Sequence, residues 1–189
     1  MLRMALTVSC VLILIGCDED KTSSEKEIFH RSLNDRAVKY LSPQTVDLDS
    51  NGAEDYSFTT SLMQEDGKTV LQFVINGTTS NAVLYNTSSA EIPALAQNTL
   101  ISSSPESPKQ WDVFENDLCS ILYTSATDSV WRGNWSKANH QFVGVRFTVS
   151  DQHHYGWISM SADTTNGQLI LHACAFNTTA GGSIKAGEK

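Results

Sequence analysis

Apolar and polar side chains alternate with period two through most of this chain. In "FVGVRFTV", Val143, Val145, Phe147 and Val149 fall on one side of an extended backbone, with Gly144, Arg146 and Thr148 on the other. "SDQH" makes a short polar turn, "HYGWISMS" returns, "DTTNGQ" turns again and "LILHACAF" follows. Three strands joined by short polar turns predict an antiparallel meander. Upstream, "YSFTTSL" places Tyr56, Phe58 and Leu62 on one face, and "VLQFVI" is apolar enough on both faces for an inner strand. "NGTTSN" (76–81) reads as a turn before "AVLY", because Asn-Gly favours positive backbone angles. "QWDVF", "CSILY" and "SVWRG" are shorter strand candidates. Helical periodicity and internal repeats are missing, so the pattern predicts one all-β domain over residues 36–189, an antiparallel β-sandwich or jelly-roll-like fold.

The N-terminus breaks this pattern. "MLRMALTVSCVLILIGC" has one cation, Arg3, then an apolar run closed by Gly16 and Cys17. It is too short to span a bilayer comfortably and reads as a signal peptide over residues 1–16. "LIGC" resembles the lipobox of bacterial lipoproteins. That resemblance implies cleavage before Cys17, acylation of its thiol and new N-terminus, and anchoring to a membrane of the cell envelope. Since each buried methylene adds about 0.8 kcal/mol, several acyl chains would hold the protein there essentially permanently. The acidic "DED" after Cys17 resembles both an inner-membrane retention signal and a surface-export signal, so inner and outer membranes stay open. Residues 17–35 are polar and charged, apart from Ile28, Phe29 and Leu33, and are predicted to be a tether.

Cleavage would lower the basic count from 13 to 12 against 21 acids, taking the balance from −8 to −9. With no Lys/Arg cluster, that charge opposes nucleic acid and anionic headgroups as partners. Of the four cysteines, Cys119 and Cys174 remain in the domain. An extracytoplasmic location would let them pair, with a gain of about 4 kcal/mol from closing so long a loop.

"DLDSNGAED" is the strongest candidate for a ligand site. Calcium takes hard oxygens from a tight loop, with side chains at alternating positions and a backbone carbonyl among them. Asp47, Asp49 and Asn51 stand first, third and fifth, Gly52 sixth, Ala53 seventh and Asp55 ninth. An EF-hand comparison ends at the twelfth position, Phe58, where a bidentate glutamate belongs. The loop resembles more closely the D-x-D-x-[DN]-G-x-x-D loops of integrin-like FG-GAP repeats, which join two strands. That resemblance implies a structural Ca²⁺ held by Asp47, Asp49, Asn51, the Ala53 carbonyl and Asp55. The competing reading is a solvated polar turn.

His154, Tyr155, Gly156 and Trp157, with Ala175, Phe176, Ile184, Ala186 and Gly187, resemble the C-terminal part of uncharacterised secreted or lipid-anchored bacterial proteins. Those proteins carry an H-Y-G-W strand and an I-x-A-G tail, and the resemblance implies architecture alone. Of the adjacent His153 and His154, one is expected to be exposed and one packed, since neighbouring strand residues point to opposite faces. His172 is expected to pack between strands. Signatures of known catalytic classes are missing. Trp131 and Trp135 flank the loop-like "RGN" and could stack on sugar rings, whereas Trp157 is expected in the core. The sequence therefore predicts a lipid-anchored module that binds or assembles at the envelope, with a glycan or an envelope protein as possible partner. The competing class is a glycoside-acting hydrolase.

Overall fold

The computed structural model describes residues 27–114 and 116–189. The expected signal peptide, Cys17 and the start of the tether lie outside the described residues. A six-stranded sheet runs β1 (Ile28–Val38), β12 (Gln168–Asn177), β11 (Gln152–Asp163), β10 (Gln141–Val149), β5 (Ala82–Asn86) and β7 (Lys109–Asp112). Facing it, a five-stranded sheet runs β2 (Gln44–Val46), β3 (Tyr56–Glu65), β4 (Lys68–Gly77), β8 (Asn116–Tyr123) and β9 (Ser129–Arg132). A two-stranded ribbon pairs β6 (Leu100–Ile101) with β13 (Ile184–Lys185). Every pairing is antiparallel, and the described residues contain no helix. The protein is an all-β sandwich, as its alternation predicts.

The main core lies between the two large sheets. Phe58, Phe73, Ile75 and Ile121 from one meet Val145, Phe147, Ile158, Leu171 and Phe176 from the other. Phe147 and Phe176 meet edge to face at 4.9 Å, a geometry that adds about 0.5–1.5 kcal/mol beyond area burial. A second core covers the outer face of the six-stranded sheet, where Tyr155, Trp157 and Ala175 pack beneath Ile101, Ile184 and Ala186. Burial on both faces explains why the run from His154 to Met160 is buried throughout rather than alternately. Gly156 sits where a Cβ would come within 2.5 Å of the Ala175 carbonyl oxygen, so only glycine fits the close approach of β11 and β12.

Two sequence expectations are revised. Residues 28–35 are not tether. They begin β1, an edge strand paired along β12, because Phe29 and Leu33 are needed to cover the core edge. The domain thus starts ahead of residue 36. The 76–81 segment does turn, but the positive angle falls on Thr79 (φ 54°) rather than at Asn-Gly. Gly77 is required for space instead, since a Cβ there would lie 2.2 Å from the Asn81 carbonyl oxygen. Leu62 shares the strand face of Tyr56 and Phe58, as the alternation predicts, and is exposed because β3 runs on past the end of the core.

Candidate functional site

The loop between β2 and β3 is held shut at its base by the Asp55 amide, which donates to the Val46 carbonyl at 2.9 Å. Leu48 plugs the core with no exposed surface. Anchoring that one apolar residue turns its neighbours, Asp47 and Asp49, to the other side. Carboxylate oxygens of Asp47, Asp49 and Asp55 come within 4.8 Å of one another. Gly52 takes a φ of 90° at the tip, a conformation L side chains rarely adopt.

Partners of these oxygens are unevenly distributed. Asp55 Oδ2 accepts from the Leu48 amide at 2.7 Å and Oδ1 from the Asn81 carboxamide at 3.2 Å. Asp47 Oδ2 accepts from the Gly52 amide at 2.9 Å, while its Oδ1 is buried without a partner. Asp49 receives the Asn51 amide at 3.1 Å and the Asn51 carboxamide at 3.0 Å. Asn51 spends its own side-chain oxygen on the Ala53 amide at 2.7 Å. Of the expected donors, then, the three aspartates converge, while Asn51 and Ala53 shape the turn.

Burial raises the Asp55 carboxyl above its ordinary value, and the charges of Asp49 and Asp47 push the same way against the two hydrogen bonds. A pair of bare carboxylates at such separations costs roughly 1 kcal/mol in bulk water and roughly 3–4 kcal/mol near a protein surface. Arg31 braces the loop from β1, donating to the Asp47 carbonyl and to Ser50 Oγ (3.2 Å). It reaches the loop's backbone and Ser50. Oxygens on opposite sides of a Ca²⁺ ion stand about 5 Å apart, so the triad's spacing and its orphaned oxygen fit one hard cation.

The expected disulfide is not formed. Cys119 on β8 and Cys174 on β12 are both free and buried, on opposite sheets of the sandwich. Burial pushes the Cys119 thiol up to about 12. It also raises that of Cys174, against the opposing pull of Arg31. The two behave as small apolar core residues.

The expected aromatic platform does not form either. Trp135 is fully buried and donates its indole N–H to the Ile92 carbonyl at 3.1 Å. Trp131 is half-buried and stacks on Phe73 at 5.6 Å. The "RGN" loop looks polar, but its flanking indoles are recruited to close the end of the core. Trp157 is buried as expected. His153 and His154 divide as expected: His153 is exposed, while His154 is buried and bonds through Nδ1 to the Asn177 carbonyl at 3.0 Å.

A cleft of about 610 Å³ opens on the outer face of the six-stranded sheet. Phe142 and Trp157 form its apolar floor, meeting edge to face at 5.1 Å. His30, His140 and His172 stand on its walls. The rings of His140 and His172 stack at 4.0 Å. His172 Nδ1 lies 2.6 Å from Asp35 Oδ1, and its Nε2 lies 2.7 Å from Ser161 Oγ. Sequence reasoning missed this group because its members lie on three strands and the loop before β10, in no motif. The bulge that turns His172 and Ala173 to the cleft leaves no mark in the local alternation of "LILHACAF".

The chain matches no protein-family profile, no curated protein and no solved structure.

Proposed function

We propose that this chain is a lipid-anchored module of a bacterial cell envelope, in which one Ca²⁺ ion bound by Asp47, Asp49 and Asp55 stiffens a ligand-binding β-sandwich. The observation that carries the calcium reading is Asp47 Oδ1, buried and unpartnered within a knot of three carboxylates. An orphaned buried acceptor costs about 1–3 kcal/mol, and a hard cation removes that cost together with the mutual repulsion. The role is structural, since the loop joins β2 to β3 and pins the edge of the five-stranded sheet. Acylation of Cys17 supplies the anchor and rests on the lipobox resemblance. The ligand surface is the cleft over Phe142 and Trp157, whose mixed apolar and amide lining suits a small organic group on an envelope component. The acidic balance argues against nucleic acid.

Thermal unfolding of the full chain with calcium, magnesium or chelator tests the ion. Calcium at 100 times its dissociation constant adds about 2.7 kcal/mol, which raises Tm by roughly 5–10 °C for a chain of this size. A Tm indifferent to calcium and to chelator refutes the reading. Mass spectrometry of the N-terminal peptide from membrane-extracted protein tests the anchor, and an unmodified Cys17 thiol refutes it.

A further inference from the structure

We propose that Ser161, His172 and Asp35 form a nucleophilic acyl-transfer site beside the cleft, acting on short O-acyl esters. The inference does not depend on calcium. It begins with an irregularity of pairing. On β12, Leu171 pairs with Met160 and Ala173 with Ser159, so His172 is an extra residue between two registers. On its other side, β1 pairs Ser32 with Ala173 and Arg36 with Leu171, leaving Leu33, Asn34 and Asp35 opposite the single His172. Asn34 and Asp35 both take left-handed angles, 56° and 52°. Two bulges therefore meet at one imidazole, and bulges re-aim side chains next to active sites.

The result is a directional relay. A carboxylate can only accept, so Nδ1 carries a hydrogen toward Asp35, and in the neutral form of the ring Nε2 is then bare. Ser161 then donates its hydroxyl hydrogen to Nε2. A backbone amide, that of His140, donates to Ser161 Oγ at 2.8 Å and fixes the hydroxyl rotor while leaving one lone pair. This is the order of roles that makes a serine nucleophilic: a general base in contact with it, oriented in turn by a carboxylate. Asp35 is 74% exposed, so its effect is screened, and the site is suited to activated or intrinsically labile esters rather than amides.

In the reaction, Ser161 Oγ bonds to the ester carbonyl carbon as its proton passes to His172 Nε2 and the carbonyl electron pair moves onto oxygen. Collapse breaks the bond to the alcohol oxygen, which leaves with the proton from Nε2. Water then gives a proton to Nε2 and attacks the acyl-serine. The carboxylic acid departs, and Ser161 regains its proton. Ser161 and His172 are the catalytic residues, and Asp35 positions the imidazole.

The full chain treated with a fluorophosphonate probe, followed by intact-mass and peptide analysis, tests this. One adduct on Ser161 is expected, together with turnover of 4-nitrophenyl acetate. Ser161→Ala abolishes both, and His172→Gln slows labelling about 100-fold or more. Asp35→Asn slows labelling about tenfold at unchanged Tm, and Asp35→Glu recovers part of the rate, which a merely structural contact would not do. Wild-type protein that takes no adduct, or takes it elsewhere than Ser161, overturns the proposal without recourse to any variant.

Discussion

Leu48 donates its backbone N–H to Asp55 Oδ2 at 2.7 Å, across the mouth of the loop that joins β2 and β3. That bond and the one from Asn81 favour the ionised carboxyl, yet burial outweighs them and leaves it raised above 3.8. Without a divalent ion, the protonated form fits the fold better. The stabilising contribution is complete below the unfolded value and is lost as pH rises through the raised folded one. In chelator, wild-type stability relative to Asp55→Asn is therefore expected to fall across that window. In calcium the trend reverses, because protons compete with the ion. Urea unfolding at a series of pH values, with and without chelator, measures both slopes.

Asp47→Asn isolates the orphaned oxygen. The amide keeps an acceptor for Gly52 and puts N–H groups where Oδ1 now lacks a partner. In chelator the variant is expected to be more stable than wild type by about 1 kcal/mol, while its calcium response disappears. A variant less stable in both conditions would mean that the loop's strain lies elsewhere.

Cys119 and Cys174 are expected to resist thiol reagents in the native state, since burial disfavours both thiolates. They should react together on unfolding. Reducing agent should leave Tm unchanged, and either Cys→Ala variant should cost about 1 kcal/mol rather than the 2–5 kcal/mol of a lost bridge. Time-resolved labelling with a chromogenic disulfide decides this.

Trp135→Ala is expected to destabilise by about 3–5 kcal/mol through the cavity it leaves. Trp135→Phe keeps most of the volume but strands the Ile92 carbonyl, at a cost of about 1–3 kcal/mol. Trp131→Ala should cost less, since that ring is only half-buried. Denaturant melts of the three variants give the ranking.

A chain beginning at residue 27 is expected to fold, and one beginning at residue 36 to fail. The shorter chain strips the N-terminal part of β1 from β12, uncovers Phe176 where Phe29 packs at 5.2 Å, and removes Asp35 from His172. Circular dichroism and solubility of the two truncations provide the measurement.

Much of the sandwich is legible in the sequence. Val143, Val145 and Phe147 alternate because one face of β10 meets the core, and "SDQH" and "DTTNGQ" are short enough to force antiparallel neighbours. The acidic loop was legible for the same reason, since its three aspartates lie within nine residues and one turn can bring them together. β1 was obscured by its charge: an edge strand can carry His30, Arg31, Asn34 and Asp35 toward solvent or the loop and still bury Leu33. Trp135 was misread because a polar neighbourhood in sequence says nothing of what lies above the ring in space.

The sequence alone determined the inner strands, their turns and the local convergence of Asp47, Asp49 and Asp55, because period-two alternation and turn chemistry act over a few residues. Tertiary structure decided what lies far apart along the chain: that Cys119 and Cys174 sit on opposite sheets and stay unpaired, and that Asp35, Ser161 and His172 meet. Those outcomes depend on strand order and on two bulges in register. A one-residue shift in pairing sends a side chain to the opposite face, and no local pattern encodes where such a shift will fall.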